Sequence, residues 1–149
     1  MATIRFPPDF LEFLRLLNSK GVEYLIVRGY AVGFHGYPRA TADLDIWIAG
    51  SPSNAKNVEA AVREFGFDVP ELSPELFLAE DRVVRMGEPP IRIEILTNLS
   101  GIEFRRSFQS REVSEVEGVQ LNFLGLDDLK ANKKAAGRHQ DLSDLEHLS

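Results

Sequence analysis

The chain has 149 residues, 44% of them hydrophobic and 27% charged, which is the length of one domain with one core and the composition of an ordinary soluble globular protein. It contains no Cys, so disulfide frameworks and thiolate zinc sites are excluded and a reducing, cytoplasmic setting is favoured; no apolar run approaches the length of a membrane span or a signal peptide. The net charge of −6 argues against a general nucleic-acid coat, which needs clustered Lys and Arg, but leaves room for a nucleotide or a local RNA contact.

In chain order, Pro7, Pro8 and Asp9 precede an amphipathic run of Phe10, Leu11, Phe13, Leu14, Leu16 and Leu17. Asp9 is the expected N-cap, with Glu12 as its capping-box partner, and Gly21 is the expected stop. A strand over 23–27 follows, then a helix opening at Gly29 and Tyr30 and ending near Gly36. Asp43 to Ile48 reads as a strand, and a long helix runs from the Ser51-Pro52-Ser53 turn to about Phe65, with Val58, Ala61, Val62 and Phe65 inward. The segment 69–80 is read as a loop with a short helix after Ser73-Pro74. Strands over 82–86 and 91–96 then form a hairpin across Gly87 to Pro90, and strands over 112–116 and 119–123 a second one across Glu117-Gly118. A helix capped by Asp127 or Asp128 runs to Ala136, and Asp141 to Leu148 makes the last. The expected fold class is α+β, a mixed central sheet with helices packed on it.

Two of these strands carry the chemistry. Side chains alternate along a strand, so Asp43 and Asp45 share one face while Leu44, Ile46 and Ile48 share the other, and Glu94 stands opposite Ile91, Ile93 and Ile95. Acids on otherwise apolar strands are costly unless something positive neutralises them. A divalent metal is the natural candidate, and Mg2+ favours a few carboxylate oxygens plus substrate phosphate. The plainer reading is a solvated or salt-bridged strand edge.

The stretch from Gly29 through Pro38 and Arg39 to Asp43, Asp45 and Ile46 resembles the signature of the nucleotidyltransferase superfamily with the polymerase-beta-like fold. The small AbiEii-type and minimal, antitoxin-like members are the most similar. Ile93-Glu94-Ile95 resembles the family's third-carboxylate strand, and Asn132 to Leu145 resembles its closing helical segment, so the likeness spans nearly the whole chain, residues 1–149 as a single domain. It implies that a glycine pair opens a helix whose amides hold a triphosphate; here the first member of that pair is Arg28 and only Gly29 is retained. Arg28 could supply a bidentate phosphate contact or fill the phosphate's place. The resemblance further implies that Asp43 and Asp45 hold two Mg2+ ions, and that Glu94 completes the second metal site or acts as general base. It places Arg28, Gly29, Tyr30, Arg39, Thr41 and Lys133 around the nucleoside triphosphate (NTP).

Several of these residues also have a bland reading. Arg39 and Thr41 either orient phosphate or brace the Asp43 turn. Lys130, Lys133, Lys134 and Arg138 either meet triphosphate or an RNA acceptor or are simply solvated, with Lys133 ranked first by the family likeness. Trp47 shares the acidic face but is expected in the core. His35, His139 and His147 lack zinc spacing, and Asp141 and Asp144 are expected to cap and solvate the last helix.

The leading functional expectation is an Mg2+-dependent nucleotidyltransferase moving a nucleoside monophosphate from an NTP to an acceptor that is a protein, a tRNA end or a small molecule. The second is an antitoxin-like interaction protein with weak or no catalysis beside a toxin partner, motivated by Arg28 and the short chain. A metal nuclease is the third, disfavoured because no Lys follows Glu94. A homodimer would complete an acceptor cleft, and no membrane association is expected.

Overall fold

The computed structural model describes residues 5–37 and 41–148. Helix α1 (Pro8–Ser19) leads into strand β1 (Tyr24–Val27), helix α2 (Arg28–Phe34), strand β2 (Asp43–Ile48) and helix α3 (Pro52–Phe65). A 3-10 turn at Pro74–Phe77 precedes the hairpin β3 (Val83–Glu88) and β4 (Ile91–Leu96); helix α4 (Phe104–Gln109), the hairpin β5 (Glu112–Val116) and β6 (Val119–Phe123), and helices α5 (Leu126–Ala136) and α6 (His139–His147) complete the chain. The described strands join one sheet of order β3-β4-β2-β1-β6-β5, with β1 parallel to β6 and β2 parallel to β4. This is the mixed sheet expected from the sequence.

The period of two sorts the sheet into two faces. Tyr24, Ile26, Leu44, Ile46, Ile48, Ile93 and Ile95 bury themselves under the apolar stripes of α1 and α3 in one continuous core. Leu25, Val27, Trp47 and Leu96 face the other way and pack with Ala31 and Val32 of α2, Leu129 of α5 and Leu148. Trp47 meets Phe104 of α4 edge-on at 5.1 Å, so it belongs to this second core. Asp43, Asp45, Arg92 and Glu94 continue the second face past the end of its apolar cluster.

Several helix starts differ from the expected ones. α1 is entered through Pro7 with no side-chain cap, and Asp9 lies inside the first turn. Pro8 takes the first helical position, which its fixed φ and missing N–H suit, so the helix begins before the acid can cap it. In α5 the N-cap is Gly125, and Asp127 and Asp128 sit in the first turn. Gly125 passes so close to Ser110 that a Cβ there would stand 2.9 Å from its carbonyl oxygen, which excludes a capping side chain. α6 begins at His139, two residues early, because Asp141 reaches back from the third position to accept the Arg138 backbone N–H at 3.2 Å. α4 has no counterpart among the elements expected from the sequence; its Glu103 N-cap carboxylate accepts the N–H groups of Arg105 and Arg106. Among the described residues no helix is long and apolar enough to cross a membrane.

Candidate active site

The parallel pairing of β2 with β4 sets Asp43 opposite Arg92 and Asp45 opposite Glu94. Residues in register on neighbouring strands present their side chains on the same face, so the acids at 45 and 94 stand side by side, with Asp43 one step along. On the other flank of β2, Val27 pairs with Asp45. Arg28 and Gly29 therefore leave β1 at the level of the acids. Asp45 and Glu94 are 7% and 6% exposed, deep enough for their charges to matter to each other.

α2 opens in a conformation that glycine would adopt freely. Arg28 has φ +57°, in the left-handed region, where the family likeness implies a glycine. Gly29 is required for a different reason: a Cβ on it would stand 2.6 Å from Thr41 Oγ1 and 2.9 Å from Thr41 Cβ. Thr41 in turn donates to the Asp43 carbonyl at 3.4 Å, tying this contact to the start of β2.

These residues line a cavity of about 250 Å³. Its floor is Asp43, Asp45 and Glu94; Arg28, Gly29 and Thr41 form one wall, and Lys133, Arg138, Gln140 and Asp141 the other. Thus Arg28, Gly29, Thr41, Asp43, Asp45, Glu94 and Lys133, all singled out in the sequence, come together. Tyr30 does not: its ring is stacked on Phe6 at 4.7 Å and edge-on to Phe10 at 5.9 Å, within the first core. Arg39 lies outside the described residues.

The electrostatics of the floor are those of crowded acids with local counter-charges. Burial, opposed by the Arg28 charge and reinforced by Glu94 and Asp43, pushes the Asp45 carboxyl up to about 7. Arg92 grips Asp43 through two hydrogen bonds, Nε to Oδ1 at 3.2 Å and Nη2 to Oδ2 at 2.8 Å. Arg28 Nη1 is 3.8 Å from Asp45 Oδ1, and Arg85 Nε is 3.6 Å from Glu94 Oε1. Arg85 and Arg92 were not singled out in the sequence. Their signal is present in it: Arg92 is two residues before Glu94 and so shares its face, and Arg85 sits across the β3–β4 hairpin.

The second wall departs most from expectation. Asp141 and Asp144, expected to be solvated, are 1% and 0% exposed. Lys133, itself 2% exposed, reaches both, at 3.1 Å and 3.0 Å. A buried lysine needs paired carboxylates, and the α5–α6 corner supplies them. Burial alone would raise the Asp141 carboxyl, but hydrogen bonds from Arg138 and Lys133 outweigh it and hold the group below the usual carboxylate range. His35, at the far end of α2, is 2.7 Å from the Leu124 carbonyl through Nε2, and His147 stacks on Tyr37 at 4.0 Å; both are packing residues.

The donor set suits a hard divalent cation: carboxylate oxygens from two adjacent strands, with the Asp45 carboxyl raised by burial and by its acidic neighbours. Among the described residues, however, no three His, Asp or Glu side chains are already drawn together in a metal-binding arrangement. The carboxylates turn instead to their arginines.

No protein-family model and no curated protein matches the chain. Solved structures do. A candidate nucleotidyltransferase from Thermotoga maritima aligns with a TM-score of 0.64 at 16% identity, covering 96% of this chain and 94% of that one. An antigenic nucleotidyltransferase-like protein from Paracoccidioides brasiliensis gives a TM-score of 0.54 at 14% identity, over 95% of this chain and 76% of that one. Likeness at this level of identity speaks for architecture. The chain has the nucleotidyltransferase fold, as its resemblance implied.

Proposed function

We propose that the protein is an Mg2+-dependent nucleotidyltransferase, close in kind to the small AbiEii-type and minimal members, that transfers a nucleoside monophosphate from an NTP to an acceptor hydroxyl in the cytoplasm. The observation that carries this reading is the side-by-side register of Asp45 and Glu94, with Asp43 on the same face, in a cavity walled by Arg28 and Gly29. Asp43, Asp45 and Glu94 would hold the metal. Magnesium, when bound, offsets the charge of the triphosphate and acidifies the acceptor hydroxyl.

The chain's own residues bind and orient. Gly29 lets Thr41 pack against the start of α2, and Arg28 and Arg138 at the rim present guanidinium forks to the polyphosphate. Lys133 holds the α5–α6 wall in place through its two buried acids. The acceptor oxygen forms its bond to the α-phosphorus as the bond to the bridging α–β oxygen breaks. Pyrophosphate leaves, and the hydroxyl proton passes to Glu94. Positioning and charge stabilisation carry this chemistry.

Calorimetry with Mg2+ and a non-hydrolysable triphosphate tests the reading. The double variant Asp43→Asn, Asp45→Asn should lose all metal-dependent binding heat; binding equal to that of the unaltered protein would refute it. A second reading, an antitoxin-like partner with weak catalysis, is favoured by the guanidinium already in place at each carboxylate. Transfer of an α-phosphate label by the purified protein alone would exclude that second reading.

A further inference from the structure

β4 delivers a cation to the site together with its carboxylate. Arg92 lies opposite Asp43 in the sheet, takes both of its oxygens, and also brings Nη2 to 3.4 Å from Glu94 Oε1. A planar fork that occupies both oxygens of a carboxylate competes directly with a metal for the same lone pairs. A guanidinium at that distance also repels an arriving divalent ion. A cation that takes the same edge of Asp43 therefore displaces Arg92.

Arg92 is able to do so. Its side chain is 32% exposed, and among the described residues its ion-pair partners are Asp43 and Glu94 of this site. Among the described residues no buried network holds it in place, in contrast to Lys133. A phosphate offers a guanidinium the same two-oxygen edge that a carboxylate does. An incoming polyphosphate at this cavity thus gives Arg92 a second place to bind as the carboxylates become free.

We infer that Arg92 is an internal counter-ion that competes with the divalent cation for Asp43 and is released to the polyphosphate, so that the bare protein binds the cation weakly and cation and triphosphate enter together. The inference rests on the nucleotidyltransferase reading and assigns a specificity role to a residue that does not ligate the metal. Its signature is a pair of opposite effects. Removing Arg92 strengthens binding of the cation alone and weakens binding of the triphosphate. A merely structural ion pair would not separate the two.

The test titrates Mn2+ into the unaltered protein and into Arg92→Ala and Arg92→Gln, following the electron paramagnetic resonance of the free ion, first without nucleotide and then with an α,β-methylene triphosphate. Both variants should bind Mn2+ alone about tenfold more tightly, the scale of a half-exposed charged hydrogen-bonded pair, and bind the triphosphate more weakly than the unaltered protein does. Unchanged or weaker Mn2+ binding in both variants overturns the inference. Adding Asp45→Asn separates this from failure of the site reading. If that change abolishes Mn2+ uptake while the arginine variants match the unaltered protein, only the counter-ion role falls. If uptake is indifferent to Asp45→Asn, the ion binds elsewhere and both readings fall.

Discussion

Asp45 shows how one side chain can oppose folding in the service of a site. Its carboxyl, pushed up to about 7 by burial and its acidic neighbours, binds a proton more tightly in the folded chain than in the unfolded one. Stability should therefore fall as pH rises from the ordinary carboxylate range through neutrality. The loss should be on the order of 3 kcal/mol. Urea denaturation in chelator at pH 5 and pH 8 measures it, and Asp45→Asn should flatten the dependence and leave the protein more stable at the higher pH. Gly29 makes the opposite kind of prediction. A methyl group there collides with Thr41, so Gly29→Ala should destabilise by about 1–3 kcal/mol; Thr41→Gly in the same chain should cost less than the two changes added separately, as read from denaturation midpoints.

At the scale of elements, strands were the more legible part. The alternation of acid and Leu or Ile marks both faces of β2 and β4 and their bounds, and the Glu117-Gly118 turn marks those of β5 and β6. Helix starts are less legible. An acid before an apolar run looks like a cap, but the helix can open ahead of it, at Pro8 in α1 and at Leu126 after Gly125 in α5. α4 has only six residues, too few to show a helical period. The buried ion triad was illegible for a related reason. The sequence shows Lys133, Asp141 and Asp144 as charges on a C-terminal helical segment, and only the α5–α6 turn reveals that they face one another in the interior. Lys133→Ala would leave two buried carboxylates without their shared cation and should cost about 3–5 kcal/mol. Arg138→Ala, at the exposed rim, should cost about 1 kcal/mol or less by the same urea titration.

The whole molecule makes its site by topology. Asp43 and Asp45 lie on one strand and Glu94 on another far along the chain, and the order β3-β4-β2-β1 brings the two strands into parallel contact while placing the start of α2 beside them. Alternation alone could say that each acid faces away from the apolar core, but it could not say that β2 and β4 are neighbours. The family resemblance supplied that expectation. The most direct measurement is a crystal soaked with Mn2+ and an α,β-methylene triphosphate, read by anomalous diffraction. A manganese peak bridging the carboxylates of Asp43, Asp45 and Glu94, with Arg92 swung off Asp43 onto the polyphosphate, is the predicted result. Manganese bound away from these acids, or a triphosphate seated with Arg92 still clasping Asp43, would contradict it.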